Sequence, residues 1–209
     1  MPLDTLHAAP VAERAPFSEP TQLDDNLRLA FSAPQIRLAG GINQPMLVWM
    51  INQFDSLWAG DSPIVVDLTT DGGEADTARR MALEVRLRRE AYGRRMLFLG
   101  KTMVYSAGVT VMSAFPVEDR YLTADTRLLV HQRHIQKQIE FCDPLTAAAQ
   151  RVREVLSDIE AGLELEREGF RRFVEGSDVS LEECVERAAS NWYITAQEAV
   201  DRRLVAGLV

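Results

Sequence analysis

Apolar positions follow two rhythms along this chain: short unbroken runs, and longer stretches in which they return every third or fourth residue. The runs predict strands at 35–39 (QIRLA), 64–68 (IVVDL) and 95–99 (RMLFL). Helical spacing fills the intervals. After Gly40-Gly41, Asn43 can cap a helix with Pro45 in its first turn and Met46, Leu47, Met50, Phe54, Leu57 and Trp58 on one face. Gly60-Asp61-Ser62-Pro63 then breaks the chain. A second helix, over about 74–92, turns Ala78, Met81, Ala82 and Val85 inward. Gly100 ends the third strand, and another helix opens near Ser106.

The pattern changes in the second half. RYLTADTRLLVHQ reads as two short strands around a turn at Ala124-Asp125. A helix over roughly 144–175 follows, with Leu145, Ala148, Val152, Val155, Ile159, Leu163, Phe170 and Phe173 as its apolar positions. It is far longer than an average globular helix of about three to four turns, so it is expected to protrude and meet another subunit. Ser180 with Glu183, and Thr195 with Glu198, form capping boxes for two short helices. Strands alternating with helices give an α/β class with crossover connections. Prolines at 2, 10, 16 and 20, without packing periodicity, mark residues 1–28 as a flexible arm ahead of a single domain over 29–209.

Composition narrows the function. The net charge of −8 argues against a nucleic-acid footprint. One basic cluster, Arg79, Arg80, Arg86, Arg88, Arg89, Arg94 and Arg95, reads as a solvated face or a subunit contact. No apolar run reaches the ~20 residues that span a bilayer, and the first thirty residues lack a secretory pattern, so a cytoplasmic protein without membrane partners is expected. Cys142 and Cys184 are in no metal-ligand spacing and read as free thiols; no metal or organic cofactor is expected. Of the three histidines, His7 falls in the arm, leaving imidazole chemistry to His131 and His134 in LLVHQRH.

Three features converge on one chemistry. Asp71-Gly72-Gly73 directly follows a buried strand, where paired glycines allow a sharp turn and an accessible N–H. Ser106 opens a helix, so the N–H of Ala107, with that of Gly73, could hold a developing oxyanion. His131 ends an apolar strand and could serve Ser106 as a base. There is no GxxxxGK[ST] phosphate loop and no GxGxxG.

The order strand-GG-helix, strand-Ser-helix, strand-His, long helix resembles the proteolytic subunit of the Clp protease, with its ClpP/crotonase-like fold of repeated β-β-α units and a protruding handle helix, here near 144–175. The resemblance runs from IRLAGGINQPMLVWMINQFDSL through IVVDLTTDGG to ITAQEAVDRRLV, about residues 35–209. Ser106 and His131 stand twenty-five residues apart, as in that family, in the matching apolar-His-Gln context. The resemblance implies a serine-type endopeptidase with Ser106 as nucleophile, His131 as general base, and Gly73 and Ala107 as oxyanion-hole amides. It further implies a homo-oligomer of stacked rings, heptameric or tetradecameric, cleaving unfolded or small peptides in a chamber. The long helix and the HIQKQIE strand would build the contact between rings. An ATP-dependent unfoldase belongs to the family's partners, although residues 1–28 do not closely match the family's axial segment.

This sequence departs from the pattern in three places. The third triad position, counted back five from Ala196 in Thr195-Ala196-Gln197-Glu198-Ala199, is Asn191 rather than aspartate. In a serine protease that exchange costs on the order of 10⁴ in turnover, which directs attention to Asp178 or Asp201 as substitute carboxylates and to a catalytically weak ring subunit as the alternative function. TTDGG replaces the family's Asn-Ser-Pro-Gly-Gly, and the approach from Gly100 to Ser106 is longer. A crotonase-like acyl-CoA enzyme, holding a thioester enolate on two amides, is the third reading; the Ser–His spacing and the lack of an acidic pair near the glycine turn argue against it.

Overall fold

A computed structural model describes residues 25–57, 60, 62–142 and 144–209. The expected arm therefore lies outside the described residues except for 25–28, which begin a helix, α1 (Asp25–Ser32). Trp58, assigned to the inner face of the first predicted helix, is also outside them.

Five parallel strands build the central sheet: β1 (Ile36–Ala39), β2 (Ile64–Thr70), β3 (Met96–Tyr105), β4 (Arg120–Leu122) and β7 (Gly207–Leu208), in the order β1-β2-β3-β4-β7. Helices α2 (Gln44–Ser56) and α3 (Ala75–Tyr92) make the first two crossovers. The side chain of Asn43 caps α2 by accepting from Met46 N at 3.0 Å, beside a first-turn proline. Leu47, Met50 and Phe54 from α2, and Ala78, Met81, Ala82 and Val85 from α3, are buried in one core with Ile64, Val66 and Phe98. Those are the positions that helical spacing selects.

The third strand does not stop at Gly100. It runs on to Tyr105 through an irregularity: Leu68 pairs with Gly100 but Thr70 pairs with Val104, and Thr102 takes a left-handed φ of 58°. The extra residues bend β3 and give it two pairing segments. Residues 98–100 pair with β4, and residues 103–105 pair with β5 (Arg127–Val130). The two strands flanking Ala124-Asp125 are therefore not a hairpin. Both lie parallel to β3, one beyond the other. A further strand, β6 (Trp192–Thr195), pairs antiparallel with β5.

Helix α5 (Leu145–Val174) spans 30 residues. Only Phe170, Phe173 and Val174 near its end are buried, whereas Leu145, Val152, Leu156, Ile159 and Leu163 are exposed. Its amphipathic stripe thus continues well past the body it is rooted in. Residues 131–142, which contain the expected HIQKQIE strand, carry no strand pairing in this single chain. Half of each capping box forms: Ser180 accepts from Glu183 N ahead of α6 (Leu181–Ala188), and Thr195 from Glu198 N ahead of α7 (Ala196–Asp201), while the two glutamate carboxylates pair with Arg187 and Arg202 instead. No described helix is long and apolar enough to cross a membrane.

Candidate functional site

The carboxyl ends of β2, β3 and β5 meet at one cavity of about 730 Å³, and Gly73, Ser106, Ala107 and His131 all line it. Short-range geometry explains how residues distant in sequence arrive there. Tyr105 pairs with Leu129 in the β3–β5 ladder, and Ser106 N donates to Leu129 O at 2.8 Å. The residue after β3 is thereby fixed two positions before His131.

Ser106 occupies a backbone conformation that L-residues avoid, φ 53° and ψ −112°. It sits on a sharp strand-to-helix turn at the start of α4 (Ala107–Met112). Its hydroxyl makes no hydrogen bond among the described residues and is therefore uncommitted at the cavity. Ala107 is the first residue of α4, so no preceding helical carbonyl is available to its N–H.

The glycine turn is built around close approach. Gly72 has φ 115°, and a Cβ there would come within 3.0 Å of the Ser106 Cβ. Its N–H is held by the buried Thr70 Oγ1 at 3.0 Å, so it is not available to a ligand. Gly73, at φ 140°, has room only for hydrogen, since a Cβ would lie 2.2 Å from Ile42 O. Ile42 O instead accepts from Glu74 N, and Ile42 N donates to Gly72 O. Gly73 N–H donates to no group among the described residues. The cavity therefore has two uncommitted backbone donors, at 73 and 107, flanking a free hydroxyl. The Thr70 hydroxyl occupies the Gly72 N–H and leaves that of Gly73, the glycine singled out from the sequence.

His131 is half-buried, and its Nδ1 lies 2.6 Å from Gln132 O. A carbonyl oxygen only accepts, so Nδ1 carries a proton, and in the neutral ring Nε2 then holds the lone pair. That is the tautomer a general base needs. The ring of His134 stacks on it at 5.3 Å. Arg133 anchors the segment on both sides: its backbone N–H donates to Glu166 on α5, and its guanidinium bonds Asp76 on α3 at 2.9 Å. That pairing and the one with Arg79 hold the Asp76 carboxyl below its usual pKa against the opposing effect of burial.

Asn191 does not line this cavity. It lines a shallow depression with Glu183, Glu186, Arg187 and Trp192, and no hydrogen bond joins it to His131. Its φ of 58° is left-handed, and its side chain bonds nothing among the described residues. The two substitute carboxylates are also off the cavity: Asp178 pairs with Arg203, and Asp201 accepts from Gln197. Among the described residues no group of three His, Cys, Asp or Glu side chains is arranged to hold a metal ion.

No family model and no curated protein sequence matches this chain. Comparison of structures does find similar folds. An asparagine-to-aspartate mutant of ClpP1 from Listeria monocytogenes superposes with a TM-score of 0.67 over 88% of this chain and 95% of that one, at 18% sequence identity. This chain has a ClpP-like fold. The α/β architecture expected from the order of strands and helices is thus the observed one, and the ClpP-like fold carries the serine, histidine and glycine turn at the ends of its parallel strands.

Proposed function

We propose that this ClpP-like chain is a serine peptidase, with Ser106 as nucleophile and His131 as general base. The observation that carries the reading is the shared cavity, lined by an uncommitted hydroxyl on a strained turn, by an imidazole whose Nδ1 meets Gln132 O, and by Gly73 and Ala107 with their unpaired N–H groups. In the reaction, Ser106 Oγ bonds to the carbonyl carbon of a peptide and its proton passes to His131 Nε2. The carbonyl oxygen becomes an oxyanion that accepts from Gly73 and Ala107 N–H. Collapse breaks the C–N bond, and the His131 proton leaves with the amine. Water, deprotonated by the same nitrogen, then attacks the ester and releases Ser106.

The substrates would be unfolded or small peptides. The exposed apolar stripe of α5 supports a homo-oligomer; that this forms stacked rings enclosing the site, with an ATP-dependent unfoldase as a partner class and the cytoplasm as the compartment, is part of the same proposal.

A second reading, a catalytically weak ring subunit, is favoured by one observation. Gln132 O, not a carboxylate or Asn191, holds His131 Nδ1. A carbonyl fixes the tautomer but adds no negative charge to stabilise the imidazolium.

The test is active-site labelling with a fluorophosphonate on the assembled protein, mapped by mass spectrometry. A peptidase gives an adduct on Ser106 that disappears in Ser106→Ala. An unlabelled Ser106 in an assembled ring supports the weak subunit.

A further inference from the structure

Of the seven clustered arginines, six are tied down. Arg79 pairs with Asp76, Arg80 and Arg88 with Glu84, Arg89 and Arg95 with Asp119, and Arg94 donates to the carbonyls of Leu57 and Ser62. Arg86 alone makes no hydrogen bond and no ion pair among the described residues. It is half-buried and lines a cavity of about 540 Å³, which shares no lining residue with the Ser106 cavity, between α3, the end of α5 and the start of β4.

The other cationic walls of that cavity are Arg89, Arg120, Arg172 and Arg203. Arg120 is only 1% exposed. It donates to four carbonyls, those of Phe115, Phe173, Leu204 and Arg172. A guanidinium has five N–H groups, so one remains on Nη2, and no carboxylate makes an ion pair with Arg120. Burial pushes its pKa down to about 10, with Glu118 and Glu175 opposing. Burial also pushes the Arg86 pKa down and the neighbouring Arg172 charge adds to the effect, with Glu90 and Glu168, the latter paired with Arg172, opposing beyond ion-pair distance of Arg86. Two buried or half-buried guanidiniums thus face one cavity without a carboxylate within ion-pair distance, in a protein whose net charge is −8.

We infer that this cavity binds a phosphate-sized oxyanion, with Arg86 as its main contact, Arg172 on the opposite wall and Arg120 as a buried donor at its floor. The guanidinium fork suits a tetrahedral oxyanion, and partial burial makes such a charge-assisted contact stronger than one in open water. Glu118 and Glu175 also line the cavity and interact with Arg120, so the main anion contact is assigned to Arg86. The inference is independent of the peptidase reading, because it concerns a different cavity and needs no turnover.

The test is thermal unfolding of the full chain against inorganic phosphate, with chloride balancing ionic strength. The native protein is expected to gain melting temperature saturably. Arg86→Gln is expected to keep the phosphate-free melting temperature and weaken binding about tenfold or more, with Arg86→Lys between the two. Arg172→Gln gives the same reading from the opposite wall if Arg86→Gln does not fold. An equal phosphate response in native protein and Arg86→Gln overturns the inference, as does no response at all. Insensitivity to phosphate together with loss of assembly in Arg86→Gln, seen by sedimentation, also overturns it, because the arginines would then be meeting another subunit.

Discussion

Val130 and Trp192 form the last rung of the β5–β6 ladder, one residue before His131 on one strand and one residue after Asn191 on the other. Opposed residues of an antiparallel pair share a face, so one further rung would bring Asn191 alongside the imidazole. The ladder stops short, and His131 turns to Gln132 O instead.

A carboxylate at 191 supplies the missing attraction for the imidazolium. Asn191→Asp is therefore expected to raise peptide hydrolysis by at least about tenfold, within the 10⁴ scale of the reverse exchange in serine proteases. Steady-state cleavage of a fluorogenic peptide measures it. An unchanged rate would mean that position 191 does not reach the ring during turnover.

The strained turn has a stability signature. At φ 53° and ψ −112°, Ser106 holds a conformation in which non-glycine residues cost about 1–3 kcal/mol. Ser106→Gly is expected to stabilise the fold by about 1 kcal/mol after the added unfolded-state entropy, while Ser106→Ala leaves stability nearly unchanged. Both lose labelling. Urea denaturation separates them.

Gly73→Ala is expected to destabilise by at least about 2 kcal/mol and to abolish labelling of Ser106. The added Cβ would lie 2.2 Å from Ile42 O, so the turn must open and its N–H must move. Circular dichroism melts and labelling read the two effects in one sample.

The two thiols should differ sharply. Cys184 is fully buried, and desolvation pushes its pKa up to about 12, while Cys142 is exposed. In native protein at pH 8 a thiol reagent is expected to titrate one cysteine quickly, and the second only on unfolding. The folded pKa of Cys184 is above its unfolded value of 9.0, so the folded chain keeps a proton that the unfolded chain releases between pH 9 and 12. Its contribution to stability is full below pH 9 and declines as pH rises through that window.

Local signals were legible where one rule governed one element. Asn43, Ser180 and Thr195 cap the helices their side chains predict, and the inner faces of α2 and α3 follow from periodicity. The misread strands depend on distant partners. Gly100 reads as a stop because glycine weakens a strand, yet the bend at Thr102 lets β3 continue and hold both β4 and β5. Trp192–Thr195 has no strand signature until β5 is beside it. In the site, the spacing of Ser106 and His131 pointed to their shared cavity, but whether Asn191 meets the ring depends on where a ladder ends, and no local pattern encodes that.

The central claim is that the hydroxyl at 106 and the imidazole at 131 act as one unit, and the phosphonylation rate of Ser106 tests it most directly. Compared in equally assembled protein, His131→Ala should slow that rate by about 10²–10⁴ relative to native, the range for loss of a general base. Equal rates in the two proteins would contradict the account.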